Sequence, residues 1–271
     1  SNTECAYAGS SAQPMTIVFS FIIAMFVTML LIPPLMAGAE RLQIVDMPGE
    51  RKVHAAPMPR VGGIAMIVGA LLPVAMWLMD GHTVLAYVLG VTCIMLFGIW
   101  DDRSQLSHRT KFIGQIAATL LVIFLGDVLV VLFPFAELEG LPMWAAIPFT
   151  VFALVGVTNA INLADGLDGL AGGTTLLSIG AIALLAWMAG DMTLVALSLA
   201  VMGSIMGFLR YNTYPARVFM GDSGSQFLGF SAGVLVILLT QRANPALSPA
   251  IVLLLLGLPI IDTLVVMGER V

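Results

Sequence analysis

Residues 15–37 read MTIVFSFIIAMFVTMLLIPPLMA. The run holds no Asp, Glu, Lys or Arg and lacks the alternation of a half-buried strand. At about 1.5 Å per residue it is long enough to cross the roughly 30 Å hydrocarbon core of a bilayer as a helix. Its two prolines do not oppose that reading, because membrane helices tolerate proline. Similar runs follow at about 61–79, 84–100, 112–126, 143–161, 170–189, 193–210, 226–240 and 248–267. They are continuous and rich in Leu, Ile, Val and Ala, unlike the roughly ten-residue alternating strands of a membrane barrel. The expected fold is therefore all-α, a polytopic integral membrane protein with about nine transmembrane helices. Composition agrees: of 271 residues 59% are hydrophobic and 10% charged, too few charges to coat a soluble domain. The apolar, β-branched stretch from Gly126 to Phe135 reads as a hairpin at the membrane surface.

Residues 1–14 form a polar tail, read as a non-native remnant ahead of Met15, and 15–271 form one integral-membrane domain. A net charge of −5 leaves no electrostatic footprint for nucleic acid. Cys5 lies in the tail and Cys93 in a span, so no disulfide is expected between them. Orientation follows from the loops. One alternate set holds Arg41, Arg51, Lys52, Arg60, Arg103, Arg109, Lys111, Arg210, Arg217 and Arg270, whereas the other holds Arg242 alone. The positive-inside rule then puts the N-terminus outside and the C-terminus in the cytoplasm.

The clustered aspartates fall on the same, cytoplasmic side. Asp101 and Asp102 follow FGIW at the end of the third span. Two carboxylates about 5 Å apart repel by roughly 3 kcal/mol at an effective dielectric near 20, which a cation or basic side chain relieves. NAINLADGLDGL, from Asn159 to Leu170, interrupts the apolar pattern. Asn159 and Asn162 share one helix face, and Asp165 and Asp168 repeat that spacing. Gly166 and Gly169 let backbone N–H groups approach a ligand. YNTYPARVFMGDSGS, from Tyr211 to Ser225, offers Asp222 between glycines, a setting for a hard cation ahead of a helix, with Tyr211, Tyr214 and Phe219 as flat faces for a base. In PMPRVGG (57–63), Arg60 is placed to grip a phosphate. Asp262, three residues after Pro259, is an acid inside the ninth span. Each has a bland alternative: a solvated helix end, a polar turn, a capped helix start, a membrane anchor. There is no GxxxxGK[ST] loop.

Six segments in order, RKVHAAPMPRVGG, GIWDD, SHRTKF, TNAINLADGLDGLAGG, NTYPARVFMGDSGS and PIID, resemble the polyprenyl-phosphate N-acetylhexosamine-1-phosphate transferases. The PMPRVGG form looks like the branch that uses UDP-N-acetylglucosamine and starts lipopolysaccharide O-antigen, common-antigen or teichoic-acid linkage units. The resemblance implies transfer of HexNAc-1-phosphate, most plausibly GlcNAc-1-phosphate, from the UDP-sugar to undecaprenyl phosphate, releasing UMP at the cytoplasmic face of the bacterial inner membrane. It implies Mg²⁺, with Mn²⁺ as a substitute. Asp222 matches a magnesium ligand, joined in some members by Asn162. Asp101 and Asp102 match a catalytic pair, and Lys111 a basic residue near the phosphates. Gly166, Leu167, Asp168, Asn212 and Phe219 match the uridine site, while Arg60, Asn159, Asn162 and Asp165 are further candidates for substrate contact. The implied partners are the two substrates and the bilayer, with a homodimer as an oligomeric form. Direct attack by the lipid phosphate is favoured over a covalent Asp102 intermediate, since a phosphate oxygen needs no relay. Family members carry a His-x-His cluster and a further span beyond the point at which this sequence stops, so the domain is expected to be C-terminally incomplete. The alternatives are the phospho-MurNAc-pentapeptide transferase of the same fold and, remotely, an ion-coupled transporter.

Overall fold

The computed structural model describes residues 14–46, 57–132, 140–243, 251–257 and 261. Helices α1 (Pro14–Leu42), α2 (Gly62–Trp77), α3 (His82–Ser104), α4 (His108–Gly126), α5 (Met143–Ala164), α6 (Leu170–Ala189), α7 (Met192–Asn212) and α8 (Gly221–Leu238) follow one another along the chain. A two-stranded antiparallel ribbon, β1 (Val45–Asp46) with β2 (Met58–Pro59), lies between α1 and α2, and a π-helical turn, Leu239–Ala243, follows α8. Seven of the described helices, α1 and α3 to α8, are long and apolar enough to cross a membrane, whereas α2 is apolar but shorter. The protein is thus an all-α, multi-pass membrane protein. Of the expected ninth span only a short helix α9 (Ile251–Leu255) and a few neighbours are described, and Pro259 and Asp262 lie outside the described residues.

Two helices begin earlier than hydropathy predicts, for a physical reason in each case. α4 starts at His108 because the Ser107 hydroxyl accepts from the Thr110 N–H at 3.3 Å, an N-cap ahead of the charged first turn. α8 starts at Gly221 rather than 226 because another helix caps it, as described below. The stretch from 127 to 132 is not helical. The Leu141 N–H bonds the Val131 carbonyl at 2.7 Å, so the chain doubles back there, and residues 133–139 lie outside the described set. This end is pinned by the Gln241 side chain, which accepts from the N–H groups of Val131 and Leu132.

Packing ranks the helices. α8 is buried along its whole length from Ser223 to Leu238, surrounded by α2, α3, α5 and α6, and is the central post of the bundle. α1 packs along α7 and α2 on one side, and α3 along α4 on the other. Large apolar side chains such as Phe26, Leu30, Phe124, Phe152, Leu177 and Trp187 point outward. In a membrane that surface meets lipid, so close backbone packing holds the helices together. It is close around the start of α8, where a Cβ on Gly63 would lie 2.2 Å from the Gly224 nitrogen and one on Gly98 2.4 Å from the Ser223 Cα, and as close between α1 and α7, where one on Gly203 would lie 2.2 Å from the Phe21 carbonyl oxygen. Helix alternation brings the ends of α3, α5 and α7, the starts of α4, α6 and α8, and the β ribbon to one end of the bundle.

Candidate active site

The floor of the site is the N-terminus of α8. Gly221 has φ of +69°, a left-handed conformation, and a Cβ there would lie 2.7 Å from both Asp102 carboxylate oxygens. Glycine leaves room for Asp102, at the end of α3, to accept from the Asp222 N–H at 2.7 Å and the Ser223 N–H at 3.1 Å. A buried carboxylate from one helix thus caps another, satisfying two of its orphan donors and matching its positive end. The Asp222 side chain is left free to face the cavity. Its Oδ1 accepts from the Asn162 amide at 2.9 Å, and its Oδ2 lies 3.5 Å from the Lys111 ammonium. Lys111 pairs more closely with buried Asp101, at 2.5 Å, and Asp101 also accepts from the Leu106 N–H at 2.8 Å. Adjacent Asp101 and Asp102 therefore turn to different partners, one cationic and one a helix terminus, which relieves their repulsion.

The walls come from three loops. The DGLDG turn is tied to the α7–α8 connection: Asp168 accepts from the Ala216 N–H at 2.9 Å. Asn212 accepts from the Gly169 N–H at 2.9 Å and donates to the Val218 carbonyl at the same distance. PMPRVGG runs along the other side, where the Phe219 N–H bonds the Pro59 carbonyl at 2.8 Å and the Phe219 carbonyl accepts from Gly62 at 3.0 Å. The Arg60 guanidinium pairs with Asp46 of the β ribbon. Together these enclose a cavity of about 580 Å³. Burial, and then the negative charge of Asp222, push the Asp165 carboxyl up to about 7, with the Arg60 charge opposing.

Ten of the residues expected from sequence line this cavity: Arg60, Asn162, Asp165, Gly166, Leu167, Asp168, Asn212, Tyr214, Phe219 and Asp222. Asp101, Asp102 and Lys111 stand behind Asp222 rather than in the wall. Asn159 is not in the wall either; it faces Gln115, deeper in the bundle. Sequence reading missed Asp46, Ser225, Gln115 and Gln226. Nothing in the sequence marks Asp46 as the partner of Arg60. The glutamines did carry a signal, since each is a polar residue inside an apolar run, four positions after Lys111 or Asp222.

The donor set suits a magnesium ion. Asp222 and Asn162 meet at the cavity floor, and each side chain carries a hard oxygen donor. Among the described residues no three His, Cys, Asp or Glu groups gather into an all-protein cage. Mg²⁺ commonly takes one or two carboxylates and completes its shell with ligand oxygens and water, so a sparse oxygen set at the floor of a cavity fits it.

The sequence pattern described as glycosyl transferase family 4 matches residues 84–240. The chain is 38% identical over 259 residues, 94% of its own length and 72% of the relative's, to a probable undecaprenyl-phosphate N-acetylglucosaminyl 1-phosphate transferase of Bacillus subtilis. It is 36% identical over 229 residues to a decaprenyl-phosphate N-acetylglucosaminephosphotransferase of Mycobacterium leprae, covering 76% of this chain and 56% of that protein. It is 34% identical over 243 residues to a phospho-N-acetylmuramoyl-pentapeptide-transferase of Geobacillus kaustophilus, 82% of this chain and 75% of that one. The chain thus spans between just over half and three quarters of the length of these relatives.

Proposed function

We propose that this chain, which belongs to glycosyl transferase family 4, transfers HexNAc-1-phosphate from a UDP-sugar to a polyprenyl phosphate. An oxygen of the lipid phosphate attacks the β-phosphorus of the UDP-sugar, the bond from that phosphorus to the UMP oxygen breaks, and UMP departs. The observation that carries the reading is the meeting of Asn162 and Asp222 at the floor of a cavity walled by the DGLDG turn and Phe219, with Lys111 behind Asp222. Several phosphate charges meet in such a reaction, so the protein's task is to position and neutralise them. Asp222 and Asn162 would hold Mg²⁺, which when bound neutralises phosphate oxygens. Lys111 adds a cation beside Asp222. Asp101 holds Lys111 in place, and Asp102 holds the backbone that carries Asp222. Neither aspartate is needed as a nucleophile, because a phosphate oxygen is already anionic near neutral pH.

The positive-inside count supports placing this end of the bundle at the cytoplasmic face of the bacterial inner membrane, with the N-terminus outside. The sugar assigned is N-acetylglucosamine, supported by the PMPRVGG segment and by the names of the Bacillus and Mycobacterium relatives. The second reading, phospho-MurNAc-pentapeptide transfer, rests on the Geobacillus relative. A panel of UDP-sugars with undecaprenyl phosphate in detergent micelles separates them. UMP release from UDP-N-acetylglucosamine is expected only when lipid phosphate is present. Preference for the UDP-MurNAc-pentapeptide would transfer the assignment to the second reading. UMP release without lipid, or a phosphosugar trapped on Asp102, would overturn direct attack.

A further inference from the structure

Beneath the charged floor lies a second polar layer in register with the first. Gln115 is four residues past Lys111 on α4, and Gln226 four past Asp222 on α8. Asn159 is three residues before Asn162 on α5, which runs the opposite way. Each lies about 4.5–6 Å, roughly one helical turn, deeper in the bundle than its counterpart. The three side chains meet: the Asn159 amide donates to the Gln115 carbonyl oxygen at 2.7 Å, and the Gln115 amide donates to Gln226 at 3.2 Å. Gln115 and Gln226 are buried, and none of the three lines the cavity. An amide without such partners would be costly inside an apolar bundle.

We propose that Gln115, Asn159 and Gln226 form a positioning layer that fixes the axial and rotational register of α4, α5 and α8. That register is the one in which Lys111, Asn162 and Asp222 converge. What the layer positions rests on the functional reading above; the layer itself does not. Close glycine contacts limit how far these helices can slide or turn, and polar bonds between them add a directional constraint. Directional hydrogen bonds between amides hold in only one arrangement, and buried polar groups are best attested as devices of register. A displacement near 1 Å between reacting groups costs up to about a hundredfold in rate. The walls that face the nucleotide are held separately, by Asp168 and Asn212.

The test uses the full chain in detergent. Gln226→Met keeps the side chain's length and removes its bond to Gln115. Expected results are a fall in kcat of about tenfold or more, a KM for UDP-N-acetylglucosamine within about twofold of the unmutated chain, and weaker Mn²⁺ binding in an EPR titration made without substrate. The triple variant Gln115→Leu, Asn159→Leu, Gln226→Met leaves no amide unpaired, so its thermal midpoint is expected to recover while kcat and Mn²⁺ affinity do not. Recovery of all three would show that the amides only satisfy one another and would overturn the proposal. Unchanged kcat and Mn²⁺ affinity in Gln226→Met would overturn it as well. If the unmutated chain transfers no phosphosugar, the functional reading fails, and a double-mutant cycle on thermal midpoints decides the layer. Non-additive shifts for Gln115→Leu and Gln226→Met support it; additive shifts sink it.

Discussion

Asp102→Asn separates a residue that holds the site from one that reacts in it. The Asp102 carboxylate accepts two N–H groups, from Asp222 at 2.7 Å and Ser223 at 3.1 Å. Asparagine keeps one acceptor oxygen and turns an NH₂ toward the other N–H, donor against donor. A hydrogen bond to a charged group contributes about 1.5–3 kcal/mol. A negative charge at a helix N-terminus adds about 0.3–2 kcal/mol. The loss is therefore about 2–5 kcal/mol, shared between global stability and displacement of Asp222. Even about 3 kcal/mol of it expressed in the transition state lowers the rate roughly a hundredfold. Two assays on one preparation read both shares: UMP release with undecaprenyl phosphate, and thermal unfolding in detergent. A lowered midpoint together with kcat down at least about a hundredfold is expected. Abolished turnover with an unchanged midpoint would refute the capping argument and return Asp102 to the reacting phosphates.

Asp222→Asn should also lose at least about a hundredfold in transfer while folding normally, because the Asp102 cap binds its backbone and not its side chain; near-normal turnover with an unchanged magnesium requirement would remove Asp222 as the principal ligand. A cysteine at exposed Ser104, at the end of α3, should resist a membrane-impermeant maleimide applied to intact cells and react after permeabilisation; labelling from outside would reverse the orientation. Asp165 titrates from 3.8 when unperturbed to about 7 in the fold, so the native chain holds the extra proton between those values. Its stability then falls as pH rises through that window and levels off above it, and Asp165→Asn should raise the thermal midpoint at about pH 8 more than at about pH 4. Equal shifts at both would mean that folding leaves the Asp165 pKa unchanged.

Hydropathy alone located the seven long apolar helices among the described residues, because lipid demands unbroken apolar helix and leaves little room for other patterns. It misjudged the starts of α4 and α8, where capping rather than hydropathy decides. The Ser107 cap is local and could have been read from Ser-x-x-Thr; the α8 cap comes from Asp102, 120 positions away, and no local rule finds it. The cavity-lining residues were legible as polar, glycine-bearing interruptions of apolar runs. Less legible was what each carboxylate does. Asp101 and Asp102 look alike in sequence, yet one faces Lys111 and the other a helix terminus, since neighbouring residues on a helix point in different directions. Asp46 stayed hidden because its partner Arg60 is brought to it by a ribbon of only two residue pairs.

The complete burial of α8 bears on how the protein is made. Its mean hydropathy as a span is 1.5, against 2.7 for α1, and its glycines, serines and Gln226 offer little that lipid would welcome. Synthesis delivers α2, α3, α5 and α6 first, and these form the slot that α8 occupies. In the finished bundle α8 therefore meets protein along its length rather than lipid. Asp222 travels on that helix. A nascent chain halted before it would carry the DGLDG turn but not Asp222, so the cavity floor is complete only once the bundle has closed around its post.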